Sequence, residues 1–316
     1  MKKRKKKPSQ VQRQKLEAAH FKNEFFIRLK NLCKIMGVAE VYNMIPSGDL
    51  ENIFALRFQA PRVMAAAGFQ VPNAVLNDVS HIFTEIFKNY LVPISKDGIE
   101  ISFYDYLTIF MTLIFYGSAL ENHPHAKSDA IIKSLKHFDD YLMAEEINKS
   151  KLLQRSMMYI SELESDIRSA VYWLRIESMV DEYKGKTGAY SFIYIYSHTP
   201  EKKSFVIDHV SRPALRVGWG VSVMHKTYDY IKIPAEKVRS DYNIKNLTFD
   251  VYIQSHALQR LDERLDGLRP GLMHSQLYFS LLTNPGIQWD KGGNLLLDMK
   301  LWDIKEYSTP QAIRHI

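Results

Sequence analysis

Three side chains between residues 255 and 265 have the types and the spacing to act on a phosphate. In Ser255-His256-Ala257-Leu258-Gln259-Arg260-Leu261-Asp262-Glu263-Arg264-Leu265, His256, Arg260 and Arg264 stand at i, i+4 and i+8. A helix there projects one imidazole and two guanidinium groups from a single face. Imidazole takes or gives a proton near neutral pH, while a guanidinium binds a phosphate bidentately and keeps its charge as a transition state forms. Together they suit metal-independent cleavage of RNA, in which the ribose 2′-hydroxyl attacks the adjacent phosphate. The same spacing also describes an ordinary amphipathic helix, with Leu258, Leu261 and Leu265 buried and the arginines solvated or paired with Asp262, Glu263 and Asp266.

The elements that must position this row are legible on either side. Residues 249–253 form a short alternating apolar run that stops at Ser255, a hydroxyl residue suited to cap a helix. A second helical run covers 272–282 and ends at Asn284-Pro285-Gly286. Residues 287–289 and 295–301 then read as a hairpin around Lys291-Gly292-Gly293-Asn294.

A strand, the string Ser255-His256-Ala257-Leu258-Gln259-Arg260-Leu261-Asp262-Glu263-Arg264, a second helix and a hairpin, in that order, resemble small bacterial domains that open on H-A-x-x-R-x-x-x-R. These are related to the RelE and ParE toxins, within the metal-independent ribonuclease-like folds often called BECR. The resemblance covers residues 250–316 and nothing of 1–249. It implies an α+β domain in which His256 and Arg260, with Arg264, line an RNA-facing site, His256 as general acid or base and the arginines on phosphate.

The remainder bounds the possibilities. A chain of 316 residues with 46% apolar content can build a large core. Six of its seven net positive charges sit at Lys2, Lys3, Arg4, Lys5, Lys6 and Lys7, so the body is close to neutral. Residues 1–8 are expected to be a disordered basic tail, able to attract RNA or DNA phosphates without sequence preference. Cys33 is the single cysteine, which excludes an internal disulfide and suits a reducing cytoplasm. Polar residues follow the basic start where a secretory signal needs an apolar core. The longest uncharged apolar run, 106–120, is shorter than the roughly 20 residues that cross a bilayer, and no membrane partner is expected.

Helical periodicity predicts helices over 9–36, 49–58, 73–90, 104–116, 128–143 and 149–180, so that 9–183 reads as an all-helical domain. Residues 184–316 read as a mostly antiparallel α+β domain, with strands at 190–196 and 205–210 forming a hairpin across Thr199-Pro200-Glu201-Lys202-Lys203 and further strands at 216–224 and 228–233. The aromatic run Tyr190, Phe192, Tyr194, Tyr196 offers stacking platforms for bases if one sheet face is open, and core otherwise.

Gly185-Lys186-Thr187 lacks the first glycine of a phosphate loop, since Val180 occupies that position. Glu121, His123 and His125 flank Pro124 in a turn with no further ligand at motif spacing, so neither a metal nor a cofactor is expected. These readings converge on an intracellular nucleic-acid-associated protein with a ribonuclease-like C-terminal domain. The competing reading is a non-catalytic interaction or scaffold protein whose helical domain holds a protein partner.

Overall fold

The computed structural model describes residues 10–58, 60–143, 146–183, 186–207, 209–220, 227–238, 247–264, 269–283, 286–289, 291 and 295–298. The chain is α+β, with a helix-rich N-terminal region and a strand-rich C-terminal region of mostly antiparallel sheets. It groups into two compact units that interleave along the sequence. One comprises Met1–Pro61, Thr84–Lys149 and Ser178–Ser191, the other Arg62–Phe83, Ser150–Glu177 and Phe192–Ile316. The interleaving differs from a division at residue 183. Arg62–Ala65 pairs in parallel with residues 192–195, which draws an N-terminal segment into the second unit.

In the first unit the helix Gln10–Ile35 stops where expected: Gly37 adopts φ 72°, and the Val38 amide bonds back to the Cys33 carbonyl at 2.8 Å. Its buried stripe of Phe25, Leu29, Leu32 and Cys33 follows the helical period. Burial pushes the Cys33 thiol up to about 12, so it is an inert core residue. Residues 103–119 run as helix, with a π-helical turn at Tyr106–Phe110. They contribute to a buried aromatic ladder in which Phe87, Phe103, Tyr106, Phe110 and Phe138 follow one another at ring separations of 5.0, 6.1, 5.2 and 6.3 Å. His125 serves as a latch. Its Nδ1 accepts the Lys127 amide at 3.1 Å and its Nε2 lies 3.2 Å from the hydroxyl of Tyr116, which donates to Asp49 at 2.8 Å.

Two expected elements are corrected. The helix over 149–180 is a helix, Glu146–Glu164, followed by a strand, Val171–Tyr183. Between them the Tyr172 amide donates to Ser165 Oγ at 2.8 Å and Asp166 bridges Ala170, which reverses the chain. Residues 171–174 are all buried, a continuous apolar run with strand-forming Val, Tyr and Trp in which Val171 and Leu174, at i and i+3, imitate a helix. Together with the short strands Arg62–Ala65, Leu91–Pro93 and Glu100–Ser102, this makes 9–183 helix-rich instead of all-helical. The hairpin of 190–196 with 205–210 is replaced by other pairings. Lys202–Ile207 pairs with Val210–Arg216 through a two-residue connection in which His209 takes φ 62°, and Lys186–His198 lies between Arg62–Ala65 and Val171–Tyr183.

The second unit packs these sheets with the helix Pro270–Thr283. Val171, Val217, Trp219, Ile231, Ile233, Leu277, Tyr278 and Leu281 form one core cluster, and Ile167, Leu215 and Leu258 another. The helices Glu146–Glu164 and Pro270–Thr283 meet backbone to backbone at Gly271. A Cβ placed there would lie 2.1 Å from the Glu162 carbonyl oxygen and 2.5 Å from that of Ser165. Alanine ordinarily favours a helix over glycine by up to about 1 kcal/mol. Here the clash is with main chain that cannot turn aside, so Gly271→Ala is expected to destabilise by about 3 kcal/mol, read as a lower urea midpoint at unchanged slope.

Candidate nucleic-acid interface

The helix Ser255–Arg264 grows directly from the strand Tyr252–Gln254, which pairs antiparallel with the 214–216 end of Val210–Arg216. One side of the helix is fixed. Leu258 is buried with Ile167 and Leu215, Leu261 is half-buried, and the Arg168 guanidinium grips Asp262 at 2.6 Å while its Nε holds Asp166 at 2.9 Å. Asp262 is therefore used to anchor the helix, not to pair with its own arginines.

On the other side His256, Arg260 and Arg264 are all exposed, in the row that their spacing requires. Arg260 makes a loose 3.3 Å contact with Glu263, and Arg264 has no ion pair among the described residues. The three side chains share an open helical face, and two cavities of this unit, of about 370 and 540 Å³, are lined by other residues. Leu265 and Asp266 lie outside the described residues, as do Lys2, Lys3, Arg4, Lys5, Lys6 and Lys7.

The adjoining sheet carries side chains whose relevance composition did not signal. Register places Phe205 opposite Arg212 and Tyr252 opposite Arg216. Phe205 and Tyr252 meet edge to face at 5.0 Å, and the exposed Lys203 ammonium stands 5.4 Å from one ring centroid and 5.7 Å from the other. Towards the turn the hairpin is apolar and exposed, with Val206 76% and Val210 53% accessible. Arg216 is committed elsewhere, to Glu201 at 3.0 Å and Asp250 at 2.5 Å, with its guanidinium 4.2 Å above Tyr230. The sequence signal was the alternation Lys203, Phe205 on one strand, but the partner Tyr252 is 47 positions from Phe205 and only strand pairing joins them.

The aromatic run takes the core reading and not the stacking one: Ile193, Ile195 and Tyr196 are buried, and Trp173 stacks on Tyr196 at 5.5 Å. Phe192 and Tyr194 are half-buried against each other at 5.8 Å. Tyr190 is not among the residues whose side chains are described. Among the described residues there is no cluster of three or more His, Cys, Asp or Glu side chains able to hold a metal ion, and no helix long and apolar enough to cross a membrane. No family model matches the chain, and neither a curated protein nor a solved structure matches it significantly.

Behind this surface the unit buries titratable groups. Ser275 Oγ lies 2.5 Å from a Glu162 carboxyl oxygen and 2.9 Å from the Leu272 carbonyl. The Ser275 hydroxyl is the donor to both oxygens, so its one hydrogen is divided between the carboxyl and the carbonyl. Burial pushes the Glu162 carboxyl up to about 7, with the Ser275 bond opposing it. His274 packs edge-on against Trp219 at 5.1 Å, and neither ring nitrogen makes a well-formed hydrogen bond. Burial pulls its pKa down to about 3, against weaker upward effects of Asp166 and the Gly218 backbone.

The signs are opposite. Between its ordinary 4.5 and about 7, Glu162 binds more proton in the folded chain than in the unfolded one, so its contribution falls as pH rises. Between 6.5 and about 3, His274 binds less proton when folded, so its contribution is lost as pH falls. Urea midpoints from pH 4.5 to 8 are expected to show Glu162→Gln gaining about 1–3 kcal/mol on the native chain as pH rises, and His274→Leu flattening the acid-side loss.

Proposed function

We propose that this is an intracellular nucleic-acid-associated protein whose C-terminal part holds RNA across the Lys203, Phe205, Tyr252 face and presents His256, Arg260 and Arg264 to its phosphates. The observation that carries the reading is continuity along one strand and the helix it opens. The aromatic pair with a cation above it includes Tyr252, and four residues later the chain reaches His256, the first of three exposed groups suited to phosphate chemistry. Aromatic faces bind unstacked bases with little sequence preference, while cations supply a salt-sensitive attraction for the backbone. Arg212, across the register from Phe205, adds a further guanidinium to this face. The basic segment at residues 2–7 would extend the attraction, in keeping with a cytoplasmic protein.

The chemistry such a surface supports is transesterification, and the resemblance to RelE- and ParE-related domains points the same way. His256 takes the proton from a 2′-hydroxyl as the 2′-oxygen bonds to phosphorus, and the 5′-oxygen leaves, taking a proton from water. The products are a 2′,3′-cyclic phosphate and a 5′-hydroxyl. Arg260 and Arg264 stabilise the negative charge that grows on the phosphoryl oxygens. A second reading, RNA binding without cleavage, draws on the openness of the helical face, since His256 is solvated and Arg260 shares its charge with Glu263.

RNA integrity after incubation with the full-length protein and a chelator separates these readings. Cleavage is expected to persist with chelator, to fall about 10²-fold or more in His256→Ala, and to weaken in Arg260→Ala. Binding without cleavage, reduced in Tyr252→Ala and lost as salt rises, establishes the second reading. Unaltered cleavage in His256→Ala, or no RNA binding at all, overturns the assignment.

A further inference from the structure

The cavity of about 370 Å³ in the second unit falls within the roughly 300–1,000 Å³ typical of small-molecule sites. Its walls are mainly apolar and come from four elements: Met157, Met158 and Ser161 from the helix Glu146–Glu164, Trp173 from the strand that follows it, Trp219 with Gly220, and Tyr278 with Phe279 and Leu282 from the helix Pro270–Thr283. We propose that this chamber binds a small apolar carboxylate, its hydrocarbon part within the chamber and its carboxylate at Arg155.

The aromatic walls are set in place before any ligand arrives. Trp173 is 2% exposed, stacked at 16° on Tyr196 and edged by Phe69 at 6.1 Å. It also lies against the backbone of Gly220 so closely that a Cβ there would stand 2.2 Å from the indole ring. Trp219, 4% exposed, is backed by His274 at 5.1 Å. Walls held by their own neighbours favour binding, since little ordering entropy remains to be lost when a ligand arrives. Met157 and Met158 supply the adaptable side, with flexible and polarisable thioethers.

The polar lining decides the other end of the ligand. Ser161 spends its hydroxyl on the Met157 carbonyl at 2.7 Å. Gln154 and Arg155 are the exposed polar members of the lining, which places them at the mouth. Arg155 makes no ion pair with a described residue, and no acidic side chain is among the lining residues described. A guanidinium at the rim of an apolar chamber selects a carboxylate over an amine or a neutral end.

The test uses the full-length protein and 2-naphthoate, followed by titration calorimetry and tryptophan emission, with 2-naphthol as the uncharged comparison. Saturable one-to-one binding is expected, weakened about tenfold in Arg155→Ala and for 2-naphthol, as loss of one charge-assisted contact implies. Ser161→Leu, which fills the chamber from within, should abolish binding while an unchanged melting profile shows that the fold survives. Should that variant fail to fold, Arg155→Glu on the exposed rim carries the same test, with binding expected to be lost. Absence of saturable binding at about 1 mM probe overturns the proposal, as does binding that ignores every variant. Equal affinity for naphthol and naphthoate overturns the role of Arg155. None of these outcomes depends on RNA binding.

Discussion

The C-terminal architecture depends on one close approach, the crossing of Glu146–Glu164 and Pro270–Thr283 at Gly271, where a side chain would stand inside the carbonyl oxygens of Glu162 and Ser165. Main chain against main chain leaves no room for side-chain adjustment, so the crossing point is fixed and neighbouring contacts must accommodate it. It brings Ser275 to Glu162 and seats Leu277, Tyr278 and Leu281 among Val171, Trp219 and Ile233. The same spacing leaves the chamber between the helices and the two indoles. A second close approach, Gly220 against Trp173, has the same logic and fixes the place of that indole.

Such tight contact carries polar groups inside with it. Ser161, Glu162, Ser165, His274, Ser275 and Ser280 are all buried on or beside these two helices. Small hydroxyl residues satisfy themselves on nearby carbonyls, as Ser161 does on Met157. Glu162 and His274 are the costly members. A carboxyl held by one hydroxyl and an imidazole without a well-formed bond both favour their neutral forms in this interior, and the two titrations pull stability in opposite directions across the weakly acid range.

The exposed basic helix stands on this inner frame. Arg168 ties Asp166, in the turn after the Glu146–Glu164 helix, to Asp262, so the helix bearing His256, Arg260 and Arg264 is locked to the end of the crossing pair. The face carrying His256, Arg260 and Arg264 remains exposed, and Lys203, Phe205 and Tyr252 lie on the sheet from which the helix springs. An open, cationic and aromatic face suits an extended polymer, whereas an apolar chamber suits a small molecule.

Local spacing alone determined several of these features. The stop at Gly37, the helices near 73–89 and 270–283, the strand leading into Ser255 and the exposed row at 256, 260 and 264 all follow from capping residues and a 3.6-residue period, which act over a few positions. The C-terminal hairpin of Gly286–Trp289 with Leu295–Asp298 belongs with them. Residues 171–174 defeated the same logic, because a strand buried on both faces has no alternation and Val171 and Leu174, at i and i+3, pass for a helix until that burial is known. Only the tertiary structure decided that Arg62–Ala65 lies beside residues 192–195, that Phe205 meets Tyr252, and that Glu162 meets Ser275 across 113 positions. Those partners are chosen by non-local packing, in which close approach at two glycines and exclusion of water outweigh anything adjacent residues can specify.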